Sequence, residues 1–189
     1  SSYKTLDDLV EASKKEPLNW GVAQIGGTEH IGLAQLAKAA GMKFKVVPFG
    51  SGAQMVQALM SGAIDATLPN VSEGGPQVRD GTFRALAVMA EKRLKDYPEV
   101  PTTYENGYEV KTSTTRGYWV LKGTPQDRID ALSEAMVKAM NHDVFANYLK
   151  TSGLTPEDSV AGHEVWDKHI KEEYQKAYEA LKELDLLDK

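Results

Sequence analysis

Leu6, Leu9, Val10 and Ser13 recur at helical spacing between Thr5, a residue type that caps helix N-termini, and Pro17, so Thr5 to Glu16 is predicted to be a helix. Asn19 to Gln24 is short and rich in strand formers, and it runs into Gly26-Gly27. Ile31, Leu33, Ala34, Leu36, Ala37 and Ala40 then line one face of a helix stopped by Gly41. The same alternation returns with Lys43 to Phe49 as strand, Ser51 to Ser61 as helix stopped by Gly62, and Ile64 to Leu68 as strand. Repeated strand and helix in this order predict an α/β fold with a parallel-rich sheet. Pro69 to Gly81 is broken and holds at most a short helix around Gln77, while Phe83 to Met89 reads as an apolar strand buried on both faces.

From Lys92 to Thr115 the periodicity fades, which reads as a long surface connection with one helical turn at Thr103 to Gly107. Arg116 to Lys122 is predicted as a strand, followed by a helix with Thr124 as cap, Pro125 first and Asp127 third, and an apolar face of Ile129, Leu132, Met136 and Ala139. A shorter helix from Val144 to Thr151 closes at Gly153, and the last long helix carries Trp166, Ile170, Tyr174, Tyr178 and Leu181, a stripe expected to be core. The organisation expected is a lobe over residues 1–90, a connecting segment over 91–115 that holds the lobe boundary, and a largely helical part over 116–189.

Composition narrows the function classes. The 189 residues are 41% hydrophobic and 26% charged, ordinary for a folded chain, and a net charge of -5 disfavours nucleic acid and anionic membranes as partners. No apolar run approaches the length of a membrane span. Without cysteine there is no disulfide framework, thiolate nucleophile or sulfur-based zinc site.

Three strand ends feed three helix starts: Ile25 to His30, Phe49 to Gln54 and Pro69 to Gly75. In a parallel sheet these loops share the carboxyl edge, where open α/β folds bind ligands. Each offers main-chain N–H groups and a hydroxyl, and glycines admit a ligand close to the backbone, so the chemistry on offer is cradling of an anion such as a carboxylate. Taken singly, the same residues are also ordinary caps: Thr28 and Ser72 as N-caps, Ser51 with Gln54 as a capping box. No loop carries the lysine of a P-loop, and Gly26, Gly27 and Gly32 do not match GxGxxG. Ser51 lacks the flanking pattern of a nucleophile elbow and a base, so an esterase is disfavoured. His163 and His169, six apart, cannot form a helical zinc pair, and no metal site or cofactor is expected. His30 reads either as a donor near the ligand or as a packed, capping histidine. Asp65 and Asp80 are the carboxylates expected nearest the crevice.

Gly26-Gly27-Thr28-Glu29-His30 and Val47-Pro48-Phe49-Gly50-Ser51-Gly52 together resemble the tripartite tricarboxylate transporter substrate-binding proteins, the TctC or Bug family. Leu59 to Asp65, Phe83 to Val88 with Glu91-Lys92-Arg93, Val100-Pro101-Thr102 and Gly123-Thr124-Pro125 are similar to further family segments, in register from about Lys4 to the C-terminal helix. Phe49-Gly50 and Pro69 depart from the pattern, so side-chain selectivity does not transfer. The resemblance implies a type II periplasmic-binding-protein fold, with one complete lobe, the C-terminal remainder of a second, and a small tri-, di- or aromatic carboxylate clamped between lobes. It implies a periplasmic or extracytoplasmic receptor, held at the membrane only through its transporter or a lipid anchor, that hands solute to permease subunits and catalyses nothing. By position Gly27, Thr28, Ser51, Gly52 and Asn70 match family loops that face the ligand, and with Gly26 and His30 they make up the expected ligand-binding residues. Family members carry more chain before the equivalent of Lys4, so an N-terminal truncation is expected, which would strip neighbours from Arg116 to Lys122 and invite self-association. A ligand-sensing effector domain of a signalling protein on the same fold is the alternative.

Overall fold

A computed structural model describes residues 2–151 and 154–187, in two units: Ser1–Thr114 with Ala180–Lys189, and Thr115–Glu179. The first unit opens with α1 (Leu6–Lys15), capped as expected: the Thr5 hydroxyl accepts Asp8 N–H at 3.1 Å, and the Asp8 carboxylate accepts Thr5 N–H at 3.0 Å. There follow β1 (Leu18–Val22), α2 (Thr28–Ala40), β2 (Phe44–Pro48), α3 (Gly52–Ser61), β3 (Ala66–Thr67) and α4 (Val71–Arg79). The two central helices end at Gly41 and Gly62, both left-handed, where the sequence places their stops.

The strands pair in parallel in the order β2-β1-β3. Leu18 faces Phe44 and Val22 faces Pro48 across one side of β1, while Trp20 faces Ala66 and Gly21 faces Thr67 on the other. Parallel neighbours need crossovers, and α2 and α3 supply them. Leu9, Val10, Trp20, Leu33, Leu36 and Met42 form the core between sheet and helices, with Leu33 wholly inaccessible to solvent.

α4 is longer than the sequence reading allows. Asn70 and Glu73 bond to one another at its start, and Pro69 and Tyr97 fill the space that side chains at Gly74 and Gly75 would need, so the helix forms despite Pro76. Phe83 to Met89 is neither a regular strand nor buried on both faces. Only Val88 forms a bridge, parallel to Thr102, while Met89 C=O takes a single bond from Thr112 N–H at 3.2 Å, too few contacts to make a regular strand. Residues 91–114 form no regular element, yet Tyr97, Val100, Thr102, Thr103 and Val110 are buried, and the Thr103 hydroxyl donates to Val110 C=O at 2.5 Å. Burial without periodicity is why this stretch reads as surface in the sequence.

The second unit holds α5 (Gln126–Met140), α6 (Asp143–Lys150), α7 (Pro156–Ser159) and most of α8 (His163–Glu183). α5 starts one residue late: Pro125 stands at the cap, and the Thr124 hydroxyl donates back to Leu121 C=O at 2.8 Å. The close expected at Gly153 lies outside the described residues. Arg116 to Leu121 is exposed and not a strand, since no described strand runs beside it. Trp166 packs its indole against Gly117 and meets Trp119 edge-on at 6.2 Å. Tyr174 and Tyr178 are not core: they are 70% and 44% exposed and stack on each other, because nothing described in this unit covers that face of α8.

Leu33→Ala should cost about 2–5 kcal/mol, the usual range for emptying a buried leucine site. Urea unfolding monitored by far-UV circular dichroism checks this, and Leu132→Ala on the exposed face of α5 is the control, expected to change little.

Candidate functional site

Because β1, β2 and β3 are parallel, their following loops leave from one edge of the sheet. Backbone bonds tie the first two loops together: Phe49 N–H donates to Val22 C=O at 3.0 Å and Gly50 N–H to Ala23 C=O at 2.7 Å. Gly50 holds φ 78°, a conformation side chains disfavour, which turns the chain from β2 into α3. The second and third loops meet where the Glu73 carboxylate lies against Gly52, so closely that a methyl group on Gly52 would collide with it. The structure thus brings together the neighbourhoods of Gly26, Gly27, Thr28, His30, Ser51, Gly52 and Asn70.

Their individual roles differ. Gly27, not Thr28, is the N-cap of α2, without a side-chain cap, and Thr28 opens the helix half-buried. Gly27 N–H is taken by Gln24 C=O at 3.2 Å. The N–H groups of the first helical turn have no acceptor within α2. Ser51 does cap α3, accepting Gln54 N–H at 3.4 Å, and remains exposed, while Gly52 is buried. Asn70 gives its main-chain N–H and its Nδ2 to Glu73 Oε2, each at 3.1 Å.

Of the two readings of His30, the packed one describes its contacts. It is 6% exposed, meets Phe44 edge-on at 6.4 Å, and its Nδ1 accepts Gly26 N–H at 3.0 Å. An accepting Nδ1 is unprotonated, and burial accordingly lowers the pKa of the ring below its ordinary value. His30 therefore braces the Gly26 turn in its neutral form.

The rim is electrostatically unusual for an anion site. The three loops contain no Lys or Arg. The starts of α2, α3 and α4 offer amides and partial positive charge instead. Asp65 is not part of this edge: its carboxylate accepts Asn19 N–H at 2.8 Å beside the beginning of β1, at the opposite end of the sheet. Asp80 caps the far end of α4 and holds Thr82 N–H at 2.8 Å. Sequence reasoning passed over Glu73, although Asn70 followed three residues later by Glu is a recognisable capping pattern. Among the described residues no cluster suits a metal ion. A separate groove of about 600 Å³ in the second unit, lined by Ala135, Ala139, Val144, Phe145 and Tyr148 with Lys138 and His142, is mainly apolar.

Comparison with known proteins bears on the family and the fold. A family model described as "Tripartite tricarboxylate transporter family receptor" matches residues 1–186. A curated relative from Cupriavidus necator, the "UPF0065 protein in gbd 5'region", is 27% identical over 158 residues, covering 82% of this chain and 48% of its own. The chain spans about half the length of the curated relatives it matches. Two solved structures share the fold. "R. palustris Rpa4515 with adipate" superposes with a TM-score of 0.78 at 22% identity, over 96% of this chain and 61% of that one. "MatC (Rpa3494) from Rhodopseudomonas palustris with bound malate" gives 0.77 at 22%, over 94% and 62%. The α/β architecture is therefore that of the TctC periplasmic binding proteins.

His30→Leu should destabilise the chain by about 1–3 kcal/mol, since it leaves Gly26 N–H without its acceptor. Its pH dependence has a fixed sign. The unfolded imidazole takes a proton near about pH 6.5, whereas the buried ring resists it, so stability is full above that pH and falls as the solution is acidified. Urea midpoints between pH 8 and pH 5 should decline more steeply for the wild type than for His30→Leu; parallel declines would remove the role given to this ring.

Proposed function

The chain belongs to the tripartite tricarboxylate transporter receptor family, and we propose that it serves as the solute-capturing part of an extracytoplasmic receptor for a small carboxylic acid. The observation that carries this reading is the meeting of three amide-bearing loops at one sheet edge without a lysine or arginine in them. Neutral donors at helix starts hold a carboxylate by directed hydrogen bonds, and these strengthen when water is excluded. The adipate and malate of the two relatives named above support di-acids as the first class to test.

In this reading Gly26, Gly27, Thr28, Ser51, Gly52 and Asn70 contribute to the binding rim, and His30 supports it from behind. Residues 1–90 act as the ligand-binding lobe, 91–115 as the connection and 116–189 as the remainder of the other lobe, closing over the solute. The loaded receptor then delivers its acid unchanged to the permease subunits of a tripartite tricarboxylate-type transporter. Capture needs no bond breaking, and the Ser51 hydroxyl is employed as a helix cap. No described helix is long and apolar enough to cross a membrane. The receptor reading makes the protein periplasmic or otherwise extracytoplasmic.

One further observation favours association of copies. Tyr118, Trp119, Val120 and Leu121 are consecutive, outside any regular element and 68%, 73%, 48% and 87% exposed, an apolar segment on the surface of its unit. Such a segment pairs readily with its counterpart in a second chain.

Isothermal titration calorimetry with adipate, malate, citrate and benzoate tests the carboxylate reading: at least one should bind saturably, and Thr28→Val should weaken that acid about fivefold, as expected for one lost hydrogen bond. Heat changes no larger than dilution for every acid would overturn it. For the association of copies, light scattering should show mass rising with concentration in the wild type and not in Leu121→Glu; a monomer at every concentration would overturn that second reading.

A further inference from the structure

The notch where α3 and α4 begin already contains a carboxylate, and it belongs to the chain itself. Glu73 Oε2 takes both the main-chain N–H and the Nδ2 of Asn70 at 3.1 Å, and the carboxyl group rests on the Cα of Gly52 in the first turn of α3. These are the donors and the bare backbone that the receptor reading assigns to the solute. Two features separate this arrangement from an ordinary capping glutamate. The carboxyl group reaches beyond its own helix to the start of the neighbouring one, and it does so at a residue where any side chain would expel it. It also brings a full negative charge to a rim whose three loops hold no lysine or arginine to offset it.

We propose that Glu73 is a resident carboxylate that competes with the solute for the α3–α4 end of the rim and so sets specificity by charge. This rests on the carboxylate-receptor reading. An acid with one carboxylate can dock at the α2 end and leave Glu73 in place. A second carboxylate has to approach or displace it, and a third faces the same repulsion with no compensating cation. Glu73 therefore acts as a specificity-determining residue that penalises ligand charge stepwise, favouring monocarboxylates over dicarboxylates and dicarboxylates over tricarboxylates relative to the same rim without it.

The test is calorimetric titration of the full chain with benzoate, adipate and citrate at constant pH and ionic strength, comparing wild type with Glu73→Gln. Glutamine keeps the size of the side chain and a carbonyl oxygen for the Asn70 donors while removing the charge. Adipate should tighten about five- to tenfold, the effect of one unit charge a few ångströms away near a solvated surface, with citrate gaining more and benzoate less. Glu73→Asp, which keeps the charge but withdraws it from Gly52 by one methylene, should give the same order with smaller gains, and it carries the test if the glutamine variant fails to fold. Equal affinities in wild type and variants, or a gain identical for all three acids, would overturn the charge selection and leave the receptor reading standing. Absence of binding by every acid to every variant would overturn both.

Discussion

The parallel pairing of β1 with a strand on each side is the constraint from which the rest of the first unit follows. A five-residue strand, with Leu18, Trp20 and Val22 buried, takes β2 along one side and β3 along the other, all pointing the same way. Parallel neighbours cannot be joined by tight turns, so each connection must climb back through a helix, and each helix must begin where a strand has just ended. Three loops and three helix starts are thereby delivered to one edge before any side chain at that edge is chosen. The core beneath fixes the register that holds them there.

What the sequence discloses and what it conceals divide along the same line. The capping of α1 by Thr5 and Asp8, the stops at Gly41 and Gly62, and the alternation of strand and helix are local facts, carried by residues within a few positions of one another. They are legible because the physics that enforces them is local. Phe83 to Met89 and Arg116 to Lys122 have the composition of strands, but a strand exists only beside another backbone, and composition does not say whether one arrives. Asp65 shows the same limit at the site: it lies near β3 in sequence, yet it precedes that strand and so falls at the wrong end of the sheet. The convergence of the Gly26, Ser51 and Asn70 loops was legible because parallel order alone implies it. That the Glu73 carboxylate reaches Gly52 was not, since that contact joins residues from different loops.

A rim made of amides and hydroxyls has different selectivity from one made of arginines. It attracts anions over a short range and demands that each acceptor oxygen meet a donor in line, so geometry counts for more than total charge. The chain as a whole is acidic, which adds no long-range pull on an organic acid. On the receptor reading proposed above, discrimination would rest on the few ångströms around the helix starts. His30 contributes there without reaching outward: by staying neutral it fixes the Gly26 turn from which α2 sets out.

β3 comprises only Ala66 and Thr67, anchored on β1 through Trp20 and Gly21, with the Thr67 hydroxyl adding one bond to Gly21 C=O at 3.0 Å. The Asn70 loop therefore hangs from a far shorter seam than the Ser51 loop, whose strand is stitched along five residues. Fewer backbone bonds need to open for that margin of the sheet to breathe, so the width of the rim is adjustable on one flank and fixed on the other. Such an asymmetric jaw is stiff where β2 is stitched and compliant where β3 is not.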